Sequence, residues 1–498
     1  MVTFWLKTVW FFASGIQARS HTDSLQDADS AQSGYLPSHN LCPKSIINSK
    51  FTLSWKNDLE PNEIIFAKPL VYTPPWLNSE QVITVSSLNM VRIIDGLTGK
   101  LLKSRILAPP FQAVDARCTE AGSTIGITGT PIIDPDSSVL YLYSKGYKGG
   151  VSGPRGTLAG QYKLYALKLP SLSDVSGFPV VVEGPAENDK SRYFLGGTVL
   201  QRASLASVGN SIVAGFAGHC DNFNYTGMLV AVSKIPRVGV TSIVAMMASP
   251  GAPQPQELNY TVAKGGKAGI WESGMGFAVD DDRIFFATGN GDGPGDNGSG
   301  LPANGKKAIS TLQQTTSNFI VTRNGKLKQQ DYFQPYNYQA LNAAGRDFGS
   351  AGVTLLDEDV FRGRGVRRIA ISGGKSGRIY IMNGDDLGGF ANVLQSIDNA
   401  KSLFSGTGSY PREGGYIYFN PLADYLYAYK ITLASNGKPL FVLAGKSNIT
   451  LNGRSTPTIT SFYGRIGTGI SRTEQRCIGT DICTLNRELD KVPQISIW

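Results

Sequence analysis

The feature that most constrains this chain is a strand start that recurs along it. A small residue, often Thr-Pro, opens a short apolar strand at seven places, and successive starts are 57, 72, 71, 76, 65 and 42 residues apart. The seven starts are Thr73–Trp76, Thr130–Asp134, Arg202–Leu205, Ser273–Phe277, Gly349–Val353, Gly414–Tyr418 and Thr456–Thr460. Each interval is long enough for about four short strands with their loops, which is the size of one blade in a ring of repeated sheets.

The segments between these starts also have the character of strands. Runs of β-branched and aromatic residues alternate with clusters of Gly, Asn, Asp and Pro, and helical periodicity over three turns is nearly absent. The clearest runs are Gln81–Ser86, Val139–Tyr143, Tyr162–Leu167, Ile212–Phe216, Arg283–Ala287, Arg378–Met382 and Tyr425–Tyr429. With 17% charged and 10% aromatic residues, the chain has too little charge and too many rings for a disordered protein. The sequence therefore predicts an all-β fold, a single β-propeller of four-stranded antiparallel blades.

The first residues are typical of a targeting segment. Lys7 precedes an apolar run over 8–16 and then small residues suited to a signal peptidase, so we expect a signal peptide over 1–18. The alternative is a short membrane anchor, but the run is nearer ten residues than the roughly 20 that span a bilayer. The polar stretch that follows predicts a disordered arm over 19–41. The protein is expected to be secreted and extracellular, without a stable membrane span.

Secretion would affect how two further features are interpreted, the Asn-X-Ser/Thr tripeptides and the cysteines. Four Asn-X-Ser/Thr tripeptides, at Asn224, Asn259, Asn297 and Asn448, become candidate glycosylation sites. The five cysteines, at 42, 118, 220, 477 and 483, become disulfide candidates whose pairing the spacing does not fix. None of them has the spacing of a zinc site.

The charge of the chain and its distribution indicate which classes of binding partner to expect. The net charge is +9, yet the one dense basic run, Arg362–Arg368, lies between two apolar segments and is typical of a solvated loop. We therefore expect no nucleic-acid binding. A weak, nonspecific association with cell-wall polyanions would be weakened by salt.

A second motif within the intervals leads to a family. Ile94-Asp-Gly-Leu-Thr-Gly-Lys-Leu-Leu102 places turn residues before a strand, and weaker copies lie at Val321–Leu327 and Ala434–Leu440. This motif resembles the pyrroloquinoline quinone (PQQ) repeat of the quinoprotein alcohol dehydrogenase-like β-propellers. A secreted fungal-type branch of that superfamily is the most similar, on six further segments: Gly126–Pro131, Gly218–Asp221, Gly269–Gly274, Ala287–Asp292, Gly373–Gly377 and Gly408–Gly415.

The resemblance implies an extent and a blade number. It covers about residues 54–469, and the propeller domain is expected over 42–469 with seven or eight blades in the intact fold. Six blades and the start of a seventh can be counted, so the last blade is expected to be incomplete. Residues 470–498 are mixed polar and are expected to form an irregular tail, with an aberrant or truncated C-terminus.

Candidate site residues are polar groups beside the inner strands, where the mouth of a propeller binds small-molecule or glycan ligands. His219, the one histidine outside the N-terminal arm, is a catalytic candidate together with Glu272 and Asp292. The glycine-rich loop at 290–297 offers oxygen ligands for Ca²⁺ from Asn290, Asp292 and Asp296, although it does not match an EF-hand. Candidates for cofactor binding are Trp271, Arg202, Lys375, Asp347 and Arg412.

Two functional classes stay open. The resemblance implies a secreted oxidoreductase that acts on alcohols or sugars with PQQ and Ca²⁺, in which a carboxylate is the base and a cation polarises the quinone. However, the adjacent Cys-Cys pair of classical members is absent from this sequence. The alternative is a noncatalytic propeller that binds glycans or proteins through its loops.

Overall fold

The strand-forming runs of the sequence form strands in the computed structural model. The model describes residues 23–39, 53–77, 79–249, 251, 253, 266–291, 309–451, 453, 455–462, 476–477 and 495–496. All seven runs named above lie on strands, to within one residue at their ends. The all-β prediction is confirmed. The expected signal peptide over 1–18 lies outside the described residues.

Six sheets of four or five strands follow one another along the described chain. Sheet 1 comprises Leu70–Tyr72, Gln81–Val85, Met90–Asp95 and Leu101–Ile106. Sheet 2 comprises Ile132–Asp134, Val139–Tyr147, Gly160–Lys168, Ser173–Asp174 and Val180–Val182. Sheet 3 comprises Val199–Gln201, Ala206–Val208, Ser211–Gly218, Met228–Ser233 and Val240–Ala245.

The second half of the chain continues the pattern. Sheet 4 comprises Ala278–Asp280, Arg283–Ala287, Thr316–Val321, Leu327–Gln334 and Gly389–Phe390. Sheet 5 comprises Thr354–Leu355, Ile369–Gly373, Arg378–Asn383 and Gln395–Asp398. Sheet 6 comprises Gly408–Tyr410, Tyr416–Phe419, Asp424–Leu433 and Pro439–Leu451. Neighbouring strands are antiparallel in every sheet, except that Gly389–Phe390 is parallel to its neighbour.

Smaller elements connect the sheets. Four two-stranded pairs join Tyr35–His39 to Ile459–Phe462, Phe111–Gln112 to Thr124–Ile125, Gly184–Pro185 to Tyr193–Phe194, and Arg476–Cys477 to Ile495–Ser496. The helices are short: α-helices at Ala113–Ala116 and Tyr338–Ala343, and 3₁₀ turns at Lys148–Gly150, Thr157–Ala159, Glu272–Gly274 and Phe348–Ser350. Within the described ranges, no helix has the length and apolar character needed to cross a membrane.

Each pair of successive sheets shares one hydrophobic core, which shows how the sheets are arranged. Tyr162 of sheet 2 and Phe216 of sheet 3 meet edge to face at 5.3 Å, and Phe333 of sheet 4 meets Tyr380 of sheet 5 at 4.9 Å. The other cores lie between sheets 1 and 2, 3 and 4, and 5 and 6. Tyr35 packs on sheet 6 in a further core. Sheets stacked face to face in chain order are the blades of a β-propeller, and the number of blades in the complete ring stays a prediction.

The N-terminal segment is bound to the inside of the ring. Residues 23–34 form backbone hydrogen bonds of 2.7–2.9 Å to the first strands of five of the six sheets and to the strand Ile459–Phe462. The partners, in order along the segment, are Val71, Ile133, Val279, Leu355, Ser409 and Ile459. The first strand of each blade is therefore innermost, and the segment, called the axial segment below, lies on the ring axis.

The axial segment differs from the disordered arm that its polar composition predicts. Polar side chains within it bond to one another: Asp29 accepts hydrogen bonds from the backbone N–H and the hydroxyl of Ser33, at 2.9 and 2.5 Å. Gly34 has a φ of +66°, and a Cβ there would lie 2.6 Å from the carbonyl oxygen of Pro457. The composition was misleading because the inner strands, rather than an apolar face of the segment, hold it in place.

Two of the seven strand starts are displaced from the innermost strands. Thr73 follows the innermost strand of sheet 1, and Gly414 precedes the second strand of sheet 6. Innermost strands of two or three residues are too short to show apolar alternation. In these two blades the alternation used to locate the strand starts therefore belongs to the longer second strands.

The basic run at 362–368 lies in the loop between the first two strands of sheet 5, as predicted, but its end is not simply solvated. Arg367 and Arg368 form ion pairs with Asp280 of sheet 4 at 3.1 and 2.7 Å, and Arg283 also pairs with this aspartate. Asp280 is buried. The run therefore contributes to the contact between two blades.

Candidate functional site

A cavity of about 550 Å³ opens at one end of the ring. Its lining residues share a place in the repeat: most precede the innermost strand of a blade or follow its second strand. Because these two strands are antiparallel neighbours, both places lie at the same end of the blade. The lining residues used below are Phe66, Cys118, Glu120, Thr128, Arg202, His219, Cys220, Asp221, Trp271, Asp347, Ser350, Lys375 and Phe404.

Five candidates named from the sequence meet in this cavity. Arg202 lies between the two short inner strands of sheet 3, and His219 follows the second strand of that sheet. Trp271 and Asp347 precede the innermost strands of sheets 4 and 5, and Lys375 lies in the turn after the second strand of sheet 5. The blade repeat thus brings together residues that are up to 173 positions apart (375 minus 202).

The other candidates lie elsewhere or outside the described residues. Glu272 is next to Trp271 but does not line the cavity: its side chain is fully buried, and Oε1 accepts the backbone N–H of Ala287 at 2.9 Å. Burial raises the pKa of Glu272 well above its ordinary value and so favours its protonated form. Arg412 follows the innermost strand of sheet 6 and is therefore at the opposite end of the ring.

The predicted metal loop is described only at its start. Asn290 lies beside the cavity, where its backbone N–H donates to Asp347 at 2.9 Å and its side-chain oxygen accepts from Gln314 at 2.7 Å. Asp292 and Asp296 lie outside the described residues, as do the glycosylation candidates Asn259 and Asn297. Asn224 and Asn448 are exposed.

Asp347 and Lys375 form an ion pair at the cavity wall. One carboxylate oxygen accepts from the Lys375 ammonium, and the other accepts the N–H of Asn290. The backbone N–H of Lys375 also donates to the carbonyl of Asp347 at 2.9 Å, which fixes the two residues relative to each other. The pair presents a carboxylate and a cation together to whatever occupies the cavity.

A disulfide also forms part of the cavity wall. Cys118 and Cys220 are joined, with their Cα atoms 5.7 Å apart, and both residues line the cavity. This resolves one pairing that the sequence left open. Cys118, Glu120 and Cys220 are the one group among the described residues with metal-ligand spacing, but disulfide sulfurs are not thiolate ligands.

Arg202 is a cation without an acidic partner in the described part of the chain. Its guanidinium donates a long hydrogen bond of 3.4 Å to the carbonyl of Thr128 and lies 5.9 Å from the ring of Phe66. Burial lowers the pKa of Arg202, but the guanidinium stays charged. A partly buried cation that faces a cavity favours an anionic ligand.

Lys145 is the residue of this region that the sequence reasoning missed. It lies near the end of the second strand of sheet 2, Val139–Tyr147, and its Nζ lies 2.6 Å from Nε2 of His219. The signal that could have found it is positional: close to the end of the second strand, either just before it or just after it, sheets 2 to 6 each carry a polar residue. These residues are Lys145, His219, Asn290, Lys375 and Asn420. The chosen repeat start did not mark that position.

Comparisons with known proteins support the fold. No protein-family model matches the chain, and neither does any curated protein sequence. A quinohemoprotein alcohol dehydrogenase from Pseudomonas putida HK5 superposes with a TM-score of 0.52 at 13% identity, over 83% of this chain and 58% of that one. A europium-containing methanol dehydrogenase superposes with a TM-score of 0.52 at 11% identity, over 88% and 80%. The chain thus spans little more than half of the first structure, and at these identities the likeness shows that this chain has a quinoprotein-like β-propeller fold.

Proposed function

We propose that the cavity binds a planar quinone that carries carboxylates, such as PQQ, and that the protein oxidises a small alcohol or sugar there. The observation that carries this proposal is the convergence of Trp271, Arg202 and the Asp347–Lys375 pair on one cavity of a quinoprotein-like propeller. Its volume of about 550 Å³ is within the usual range for small-molecule sites.

The residues present fit such a group. Trp271 supplies an aromatic ring in the cavity wall, on which a flat conjugated ligand can stack. Arg202, which has no acidic partner among the described residues, is suited to a ligand carboxylate. When bound, a quinone supplies a two-electron acceptor.

Asp347 is the base that the geometry favours. It lines the cavity, where Lys375 and the N–H of Asn290 hold its carboxylate in place to accept the hydroxyl proton of an alcohol. Glu272, the sequence candidate for this role, is fully buried and does not line the cavity, and burial raises its pKa. Lys375 supplies positive charge beside an oxygen on which negative charge develops.

The described residues do not form a calcium site. Ca²⁺ takes six to eight oxygen ligands, whereas the oxygens of Asp347 and Asn290 already have partners. The loop residues Asp292 and Asp296 are outside the described ranges, so calcium binding stays a prediction from the sequence and no step is assigned to it.

Calorimetric titration with PQQ, with and without Ca²⁺, tests the proposal directly. We expect binding that Arg202→Met weakens at least tenfold and that Arg412→Met, at the other end of the ring, leaves unchanged. Dye reduction with primary alcohols and sugars should follow PQQ loading, and Asp347→Asn should abolish it while PQQ still binds. Absence of PQQ binding to the wild-type protein would contradict the proposal.

A noncatalytic binding function is the second candidate, and the Cys118–Cys220 disulfide favours it. Classical enzymes of the family carry an adjacent Cys-Cys pair, whereas these two cysteines are 102 residues apart. In this case Trp271 and the polar cavity wall bind a glycan without reaction, or the surface loops bind a protein. Glycan-array binding that needs Trp271, together with no dye reduction, is the result that selects it.

We also propose that the protein is secreted and carries glycans at Asn224 and Asn448. Exposure of both side chains supports this, since a glycan needs a surface site. Intact-mass measurement of the protein from culture medium, before and after glycosidase treatment, tests it. Any association with cell-wall polyanions should disappear at high salt.

A further inference from the structure

A buried lysine, Lys145, lies behind His219 as seen from the cavity. Lys145 is completely buried, and its Nζ donates to the carbonyl of Val199 at 2.8 Å and lies 2.6 Å from Nε2 of His219. The rings of Phe111 and Tyr162 cover the amine, with centroids at 4.3 and 5.2 Å. Lys145 does not itself line the cavity, so among the described residues His219 separates it from a bound ligand.

The hydrogen bonds of this pair can be formed with or without an extra proton. A neutral amine has two hydrogens, which can be donated to the Val199 carbonyl and to Nε2 of a neutral imidazole that carries its proton on Nδ1. If one proton is added, the ammonium keeps both bonds and directs its third hydrogen toward the rings. The pair therefore has room for one more proton without rearrangement.

The surroundings favour the uncharged pair when the cavity holds no anion. No carboxylate lies within ion-pair distance of Lys145 in the described residues, and burial lowers the pKa of both Lys145 and His219 well below their ordinary values. The phenol oxygen of Tyr162 accepts the backbone N–H of Gln201 at 3.0 Å, and burial raises the pKa of this phenol, which keeps it neutral. Other charged or titratable groups on the cavity side are Arg202, Glu120, Asp221, Asp347 and Lys375.

Those charges do not supply the missing anion. Asp347 is paired with Lys375, and Asp221 lies 3.6 Å from Lys267. Glu120 is exposed and therefore strongly hydrated. Arg202 adds a further positive charge that has no described acidic partner.

We propose that Lys145 and His219 form a proton-uptake site, so that an anionic ligand with several carboxylates enters the cavity together with one proton that the pair holds between Nζ and Nε2. This inference rests on the proposed function to the extent that both place an anion in the cavity, but it requires no reaction. The ligand supplies the negative charge that the pair lacks, and the protonated pair in turn stabilises the ligand. Binding is consequently tighter at lower pH as long as the ligand carboxylates stay ionised.

Calorimetry in buffers with different ionisation enthalpies measures the proton directly. The two probes are PQQ and benzene-1,3,5-tricarboxylate, a planar anion that cannot accept electrons. At pH 7 we expect uptake of about one proton per ligand, and a Kd that rises about tenfold per pH unit where the pair changes charge. Lys145→Met should abolish the uptake, whereas Lys168→Met, an exposed lysine on the neighbouring strand, should leave it unchanged.

A measurement on the wild-type protein keeps the test valid if Lys145→Met does not fold. The ¹³C-labelled imidazole of His219, one of three histidines in the chain, should shift when either probe binds at pH 7. Binding of the tricarboxylate with proton uptake, but no binding of PQQ, would support this inference and contradict the proposed cofactor. PQQ binding without proton uptake would overturn this inference alone, and failure of both anions to bind would overturn both proposals.

Discussion

Cys118 and Cys220 form a disulfide that ties the connection between the first two blades to the third blade, across 102 residues of sequence. Because the bond closes a long loop, its removal should lower the free energy of unfolding by about 2–4 kcal/mol. Urea unfolding of the protein with and without a reductant measures this loss. Cys118→Ser should show the lower stability in both conditions, and an unchanged midpoint in reduced wild-type protein would contradict the prediction.

Asp27 of the axial segment should make stability depend on pH. Burial raises the pKa of Asp27 to about 6, although Lys68 opposes the shift. A carboxyl with a raised native pKa stabilises the fold fully below its unfolded pKa, near 3.8, and this contribution is lost as the pH rises through about 6. Between pH 4 and 7 the loss should be about 2–3 kcal/mol.

The matched variant for this prediction is Asp27→Asn. The amide can keep the contacts with Gln26 and Thr456 but does not ionise. Chemical unfolding of both proteins at several pH values should therefore give curves that differ in slope between pH 4 and 7. Parallel curves would assign the pH dependence to other groups.

Glu272→Gln should be nearly neutral for stability, within about 1 kcal/mol. Burial raises the pKa of Glu272 and so favours an uncharged carboxyl, and the amide oxygen of Gln can accept the same N–H of Ala287. PQQ affinity, measured by the titration described above, should also be unchanged. A large loss of dye reduction in this variant, at normal stability, would restore Glu272 as the base in place of Asp347.

Asp280→Asn should destabilise the contact between sheets 4 and 5. Burial alone would raise the pKa of Asp280. Hydrogen bonds from Arg283 and Arg367 nevertheless hold this pKa below its usual range. Loss of the charge leaves Arg283 and Arg368 without this partner, at a cost of about 2–3 kcal/mol. Thermal unfolding measures the cost, and Arg367→Met, which removes a half-exposed partner, should cost less than about 1 kcal/mol.

The same aspartate should respond to acid. A depressed native pKa contributes stability above the unfolded pKa and loses it as the pH falls through the native one. The difference in unfolding free energy between wild type and Asp280→Asn should therefore shrink below about pH 4. A constant difference down to pH 2 would show that the charge is not what stabilises the contact.

Gly34→Ala should loosen the axial segment. The substitution combines a positive φ with a close approach to Pro457, and strain of this kind costs about 1–3 kcal/mol. Gly149→Ala is the matched control, since Gly149 has a φ of +75° but no atom within 4 Å of an added Cβ. The difference between the two in melting temperature isolates the contact with Pro457, and equal effects would contradict it.

Much of the fold could be predicted from the sequence because the second strands of the blades are long and apolar. The runs at Val139–Tyr143 and Ile212–Phe216 have no plausible structure other than a buried strand, and both are strands. The axial segment could not be predicted in the same way. Its interactions are backbone hydrogen bonds to strands as distant as Ile459, and such bonds leave no pattern in side-chain type.

The site residues also fall into some that the sequence predicts and some that it does not. Trp271, Asp347 and Lys375 stand out as polar or aromatic residues in glycine-rich turns, and all three line the cavity. Lys145 was hidden within the buried strand Val139–Tyr147, because a lysine near the end of a strand usually reaches solvent. Only the packing of sheet 2 against sheet 3 brings it to His219.

The axial segment also has a consequence for the order of assembly. Residues 23–34 leave the ribosome before all of the strands they bind, and their last partner, Ile459, is made more than 400 residues later. Domains generally fold during synthesis as their residues emerge. The early blades can therefore pack together before the inner strands of the later blades, which the axial segment also binds, have been synthesised. The axial segment is therefore among the last parts of the described chain to adopt its final structure. Its hydrogen bonds to the inner strands form after those blades have folded.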